Sequence, residues 1–89
     1  MFLPLVAEFF GTFLFLLSIL ATGNAFIIGA TLAFVIFFIG NVSGGHVNPA
    51  VSFAMFLKGA ISSTELASYV AVQLAAASGA FYAYQALVQ

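Results

Sequence analysis

The sequence has very little charge. Of its 89 residues 3% are charged, two acidic and one basic, giving a formal net charge of -1. About a quarter of the residues of an average protein are charged. The chain is instead 65% hydrophobic, with a mean hydropathy of +1.29. A soluble fold of this size could not bury so much apolar surface, so a lipid bilayer is the expected surroundings of the chain.

Other absences exclude whole classes of function. The chain has no cysteine, which excludes disulfides, thiolate metal sites and thiol catalysis. Its one basic residue, Lys58, cannot form the cluster of Lys and Arg that nucleic acid requires. No pairing of a nucleophile with a base and no phosphate-binding loop is present, so we expect neither an enzyme nor a cofactor. His46 has no second metal ligand near it in the sequence and is expected to be a structural residue, so no metal site is predicted.

Three apolar stretches are long enough to cross a membrane, at about 4–21, 25–42 and 64–88. At about 1.5 Å per residue, the first would reach about 27 Å, close to the hydrocarbon thickness of about 30 Å. A fourth apolar piece, at about 49–57, covers only about 13 Å and cannot span. The predicted fold class is therefore an all-α integral membrane protein with three transmembrane helices and one short half-helix.

Capping signals mark the ends of the short piece and the start of the last helix. Asn48 is a good N-cap, and Pro49 at the first helical position loses no hydrogen bond. Lys58 followed by Gly59 is typical of a helix C-terminus. Ser62 with Glu65 three residues later predicts a capping box. We therefore expect the short helix to end before a turn that leads into the third span.

The last span carries a small residue at every fourth position. Such a stripe is typical of the faces on which membrane helices pack closely. The alternative is that alanine is simply common in apolar helices. We predict a packing face formed by Ala67, Ala71, Ala75, Gly79 and Ala83.

The stretch from Ser43 to Val51 is the one place where small, polar and helix-breaking residues gather. Its first part, 43–47, is expected to be extended. Non-helical backbone at membrane depth is tolerated only when it is buried in protein or lines a water-filled cavity. The helix that follows would point free N–H groups at the middle of the membrane, and its positive end would repel cations. We therefore interpret this stretch as a re-entrant loop that lines a path for small uncharged molecules able to form hydrogen bonds.

This stretch resembles the first NPA box of the aquaporin and aquaglyceroporin family, the major intrinsic proteins. Residues 7–12 resemble that family's first-helix signature, and Gln73 falls where its third helix has a glutamine. The resemblance covers the whole chain and implies one aquaporin-like repeat over 1–89. The residues that carry it in the box are Ser43, Gly44, Gly45, His46, Val47, Asn48, Pro49, Ala50 and Val51.

The resemblance also implies residue roles. Asn48, in the box with Pro49 and Ala50, would present its amide to the solute. The carbonyls of Gly44, Gly45 and His46 would form a row of acceptors. Glu8 and Gln73 would be buried supports of the loop. The family's apolar pore-facing positions correspond to Phe15, Ile28, Leu32 and Val51.

The chain departs from a complete member of that family. Such a member has two inverted repeats, and arginine follows its second NPA box; this chain contains one repeat and no arginine. We therefore expect a half-channel for water or a small neutral solute such as glycerol. It would function only with a second repeat, either its own copy inverted or a separate chain, and a homo-oligomer is expected. The alternatives are a non-transporting truncated fragment and a small membrane scaffold or assembly subunit.

Orientation and selectivity have weak signals. The positive-inside rule has only Lys58 to act on, which places the loop after the half-helix in the cytoplasm. Three spans then put the N-terminus of this multi-pass membrane protein on the cytoplasmic side. Ile28 occupies a position where water-selective members often have phenylalanine, which indicates a wider or less polar filter.

Overall fold

Four helices and no strands make up the chain. A computed structural model describes all residues 1–89. Three helices are long and apolar enough to cross a membrane, and the short one is not. This confirms the predicted fold class, and the helices begin or end at most two residues from the expected positions. In chain order they are α1 Phe2–Thr22, α2 Ala25–Ser43, α3 Pro49–Lys58 and α4 Ser63–Val88.

The turn between α1 and α2 is tight because both helices are capped within it. Gly23 adopts the left-handed conformation at φ 56°, and its N–H donates to the carbonyl of Ile19. Asn24 caps α2, its side-chain oxygen accepting from the N–H groups of Phe26 and Ile27. These bonds satisfy polar groups that a helix end would otherwise leave without partners.

The predicted caps of α3 and α4 are confirmed. Asn48 caps α3, with Pro49 in the first turn and Gly59 as the left-handed C-cap at φ 86°. The capping box of α4 has both of its bonds. The Glu65 N–H donates to Ser62 Oγ at 3.1 Å, and the Ser62 N–H donates to Glu65 Oε1 at 2.9 Å.

Helix α1 is the centre of the packing. It contacts α2 on one side and α4 on the other, while α3 packs against α4. The contact between α1 and α2 is close at the buried Gly11. A Cβ atom at that position would lie 2.7 Å from Ile39 Cδ1 and 2.9 Å from Val35 Cγ1. Any larger residue at this position would therefore force the side chains of Ile39 and Val35 to move.

The buried face of α4 is not the predicted stripe. Ala67, Ala71 and Ala75 are exposed, so the predicted packing face is wrong for these three residues within this chain. Gly79 and Ala83 are half-buried, and Gly79 lies against Phe13 of α1. The physical reason is that a polar side chain in an apolar helix must find a partner inside the protein, and this requirement sets the rotation of α4. The residues that the helix buries are Tyr69, Gln73, Ala76 and Ala80.

Candidate functional site

The buried carboxylate of Glu8 is the centre of the polar interior. Glu8 has 0% exposed surface. Its Oε2 accepts from Ser43 Oγ at 2.7 Å and from the His46 N–H at 2.9 Å. Its Oε1 accepts from the Val47 N–H at 2.8 Å and from Gln73 Nε2 at 3.1 Å. Four donors match the capacity of a carboxylate, so Glu8 connects α1 to α4, to the end of α2 and to the loop.

The loop between α2 and α3 is more sharply bent than the predicted extended segment. Gly44, Gly45 and Val47 have φ values of 93°, 64° and 46°. A positive φ is uncommon for a β-branched residue, and such strained positions cost about 1–3 kcal/mol. Val47 is nevertheless 2% exposed and donates to Glu8. The carboxylate therefore helps to hold a conformation that the local sequence disfavours.

A second set of hydrogen bonds joins the loop to α3 and α4. Gln73 Nε2 also donates to Ser52 Oγ at 2.9 Å, and Ser52 Oγ lies 2.8 Å from His46 Nδ1. The Tyr69 hydroxyl donates to the Ser43 carbonyl at 2.7 Å. All of these residues are buried. The result is one connected polar network inside an apolar chain.

Sequence reasoning placed Glu8 and Gln73 but missed other members of this interior. The available signal was spacing, because residues four apart lie on the same helix face. Each of the predicted residues Glu8, Asn48 and Gln73 has a second polar residue four positions before or after it. The three pairs are Glu8 with Thr12, Asn48 with Ser52, and Tyr69 with Gln73.

Asn48 lies at the corner where the loop turns into α3. Its Oδ1 accepts from the Ala50 N–H at 2.8 Å, and its Nδ2 makes no hydrogen bond within the chain. Asn48 and Ala50 are exposed, while Pro49 is half-buried. The cap therefore fixes the amide through its oxygen and leaves its N–H groups free to donate.

A recess of about 160 Å³ opens beside Asn48. It brings together most of the predicted lining residues, with Ile36 and Val47 in addition. Ile28 is half-buried one turn before Leu32 and lies outside the recess, as does the exposed Gly44. The predicted residues around the recess are Phe15, Leu32, Gly45, His46, Asn48 and Val51.

A second cavity, of about 350 Å³, is also lined by Asn48 and Pro49. Thr12 and Gln73 line it too, and their Oγ1 and Oε1 are the two buried side-chain atoms without a hydrogen-bond partner. Other hydroxyls in these helices, such as that of Ser18, donate to a backbone carbonyl three or four residues earlier. Thr12 makes no such bond.

The charge near these cavities comes from Glu8 alone. The other charged side chains are at helix ends, Lys58 in the last turn of α3 and Glu65 in the first turn of α4. No group of three or more His, Asp or Glu side chains is placed to hold a metal ion. The chemistry available at the recess is therefore hydrogen bonding by uncharged polar groups against apolar walls.

Comparisons with known proteins match the chain to one protein family and to several named relatives. The sequence profile of the family "Major intrinsic protein" matches residues 2–89. Aquaporin PIP 1-3 of Oryza sativa subsp. japonica is 37% identical, over 76% of this chain and 30% of the relative. Aquaporin PIP1-3 of Arabidopsis thaliana is 33% identical over the same shares. Probable aquaporin PIP2-7 of Oryza sativa subsp. japonica is 34% identical, over 85% of this chain and 33% of the relative.

The relatives are named as aquaporins and not as enzymes. The chain spans about a third of their length, 30% to 33%. No solved structure matches the chain at a significant level.

Proposed function

The chain belongs to the major intrinsic protein family, and from this premise we propose that it is one half of a channel for water or another small neutral solute. It is an integral membrane protein, with three helices long and apolar enough to cross the bilayer. The proposed half-channel conducts only when a second repeat completes the wall. Glycerol is the larger solute that the same chemistry would accept.

The arrangement at Asn48 is the observation that carries this proposal. Its side-chain oxygen is used by the cap of α3, while its N–H groups are free beside a recess. A fixed donor in an apolar recess favours solutes with an acceptor oxygen. Pore diameter, lining groups and half-helix dipoles are the determinants of selectivity in aquaporin-type pores. The proposed role of Asn48, with Pro49 and Ala50 in the box, is to orient the solute.

The remaining lining residues are assigned complementary roles. In the proposal, the carbonyls of Gly44, Gly45 and His46 accept hydrogen bonds along the approach. Apolar side chains form the wall and give a passing solute no alternative partners. Glu8 and Gln73 keep the loop in place, which their hydrogen bonds to it or to its neighbours support. The proposed wall consists of Phe15, Leu32 and Val51, with Ile28 closer to the mouth.

Electrostatics explains why we propose a second repeat. The N-terminus of a helix carries about half a positive charge. Acting on a cation about 4 Å away at an effective dielectric of about 20, it disfavours the ion by about 2 kcal/mol, roughly thirtyfold. Two opposed half-helices would double this to about 4 kcal/mol, on the order of a thousandfold. In addition, the open recess would expose its polar groups to lipid, which is unfavourable.

The proposed partner is a second aquaporin-like repeat, either an inverted copy of this chain in a homo-oligomer or a separate chain. The near-absence of charge supports the inverted copy, because Lys58 alone gives little orientational bias. Where that bias acts, it places the N-terminus in the cytoplasm. We retain as alternatives a fragment that does not transport and a scaffold or assembly subunit, both favoured by the absence of arginine.

Osmotic shrinkage of proteoliposomes that contain the purified chain tests the proposal. Water or glycerol flux above that of empty vesicles supports a half-channel that assembles with its own copy. Adding a chain that carries a second repeat tests the separate partner. Flux equal to that of empty vesicles in both arrangements would overturn the proposal in favour of the non-transporting alternatives.

A matched pair of variants tests the role of the amide. Asn48→Asp keeps the capping oxygen but removes the amide donor, so it should abolish most of the flux. Asn24→Asp makes the same change at another N-cap, where the side chain accepts from Phe26 and Ile27 away from the recess, and should leave flux unchanged. If Asn48→Asp conducted as fast as Asn24→Asp, the proposed role of the Asn48 amide in the pore would be wrong.

A further inference from the structure

The Ser52 hydroxyl lies between Gln73 Nε2 and His46 Nδ1. The first of these, the amide nitrogen of Gln73, can only donate. Gln73 Nε2 is 2.9 Å from Ser52 Oγ and 3.1 Å from Glu8 Oε1. Reversing the amide would turn its oxygen toward the Glu8 carboxylate, which can only accept when ionised. The amide nitrogen therefore faces Glu8, one of its hydrogens goes to the carboxylate, and the other goes to Ser52 Oγ.

The single hydrogen of the Ser52 hydroxyl then has one acceptor available. Ser52 Oγ has hydrogen-bond contacts with Gln73 Nε2 and with His46 Nδ1, which is 2.8 Å away, and with no backbone carbonyl. Since Gln73 donates to Ser52, the hydroxyl donates to Nδ1. We infer that His46 is held as the neutral tautomer with its hydrogen on Nε2, and that this N–H is a second hydrogen-bond donor for the solute.

The position of Nε2 supports the second part of the inference. Nε2 makes no hydrogen bond within the chain. The only fully buried side-chain atoms without a partner are Thr12 Oγ1 and Gln73 Oε1, so Nε2 is accessible at the surface. It lies against Gly44, where an added Cβ atom would be 3.0 Å away. His46 also lines the recess. The donor therefore stands beside the turn that precedes the Asn48 corner.

In the proposal, this donor acts at the recess that His46 helps to line. A donor from His46 and another from Asn48, with backbone carbonyls between them, suit a small molecule whose oxygen both accepts and donates. Water and polyols have this property. The role in solute recognition rests on the proposed function, whereas the tautomer follows from the hydrogen bonds of Ser52 alone.

Nitrogen NMR on the whole chain in bilayers tests the tautomer directly. His46 is the only histidine in the chain, so a ¹⁵N-histidine label reports on it without assignment. In mildly alkaline buffer, we expect hydrogen on Nε2 and an unprotonated, hydrogen-bonded Nδ1. A protonated Nδ1 would overturn the inference.

Two serine variants supply a matched comparison. Ser52→Ala should shift the Nδ1 resonance to that of a nitrogen without a hydrogen bond. Ser43→Ala removes another buried hydroxyl of the same network, one that contacts Glu8 and not the imidazole, and should leave Nδ1 unchanged. If Ser52→Ala does not fold, the Nδ1 to Ser52 hydroxyl coupling in the unmodified chain provides the same test, and its absence contradicts the inference.

Proton exchange between Nε2–H and water tests the donor role. We expect a cross-peak from Nε2–H to water, and an Nε2–H protected from water would overturn that role. Flux measurements keep the two proposals apart. A chain that shows this tautomer and water contact but no flux with any partner would refute the half-channel while the state of His46 stands.

Discussion

Glu8 holds Val47 in a left-handed conformation across 39 residues of sequence. The Val47 N–H donates to Glu8 Oε1 at 2.8 Å, and Val47 has a φ of 46°. The left-handed region is unfavourable for a β-branched residue. A buried carboxylate on the first helix therefore maintains the shape of a loop that comes much later in the chain.

Replacing that carboxylate by an amide should weaken the loop. In Glu8→Gln, the new NH₂ group would face donors whichever way it is turned, because both oxygens now accept from a backbone N–H. A buried donor left without a partner costs about 1–3 kcal/mol, and more when a charged acceptor is lost. We expect unfolding in detergent to be easier by about 3 kcal/mol. Chemical denaturation followed by circular dichroism would measure this.

The matched control is Glu65→Gln, at the capping box of α4. Glutamine serves in a capping box as well as glutamate does, so stability should change by less than about 0.5 kcal/mol. Equal effects of the two substitutions would mean that Glu8 has no special structural role.

Two glycines with positive φ differ in their surroundings, and alanine should distinguish them. Gly23, at φ 56°, has no atom within 4 Å of an added Cβ, whereas Gly45, at φ 64°, would place one 3.3 Å from Ile36 Cα. Gly23→Ala should cost about 1–2 kcal/mol through backbone strain. Gly45→Ala should cost a further 1–3 kcal/mol, roughly, because the backbone of α2 must shift. Thermal unfolding of both variants measures the difference, and a smaller loss in Gly45→Ala would contradict the close contact.

Gly11 is a helical glycine with a packing role. Gly11→Ala would bring a methyl group within 3 Å of Ile39 and Val35, and overpacking of this kind costs about 1–3 kcal/mol. Gly29→Ala is the control, because its Cβ would meet nothing within 4 Å. That variant should be neutral or more stable by up to about 1 kcal/mol, since alanine favours a helix. The unfolding midpoints of the two variants test this prediction. Destabilisation by Gly29→Ala and not by Gly11→Ala would contradict the packing role of Gly11.

Thr12 should tolerate loss of its hydroxyl. Its Oγ1 is buried without a partner, and removing an unsatisfied polar atom while keeping the shape is neutral or stabilising. Thr12→Val should therefore unfold at the same or a higher denaturant concentration. Ser52→Ala, which removes a hydroxyl with two hydrogen-bond contacts, should be destabilised by about 1–3 kcal/mol. A loss of that size in Thr12→Val would show that its hydroxyl has a partner in the membrane.

Helix ends and the membrane environment could be predicted because their causes are local. The bonds that cap α3 and α4 join residues two or three apart, as in Ser62 with Glu65. Scarcity of charge and apolar stretches of sufficient length likewise act through composition. The resemblance of residues 7–12 and 43–51 to a known family added the proposed roles of Glu8 and Asn48, which composition could not supply.

The rest was decided by the tertiary structure, because the sequence does not say which distant group each polar side chain meets. A stripe of small residues suggested one buried face of α4, but the face that carries Tyr69 and Gln73 is buried instead. The reason is that these two side chains form hydrogen bonds inside the chain, to Ser43, Glu8 and Ser52. The left-handed Val47 and the tautomer of His46 have the same origin. Spacing determines which residues share a helix face, and only packing brings that face to the donors and acceptors that complete it.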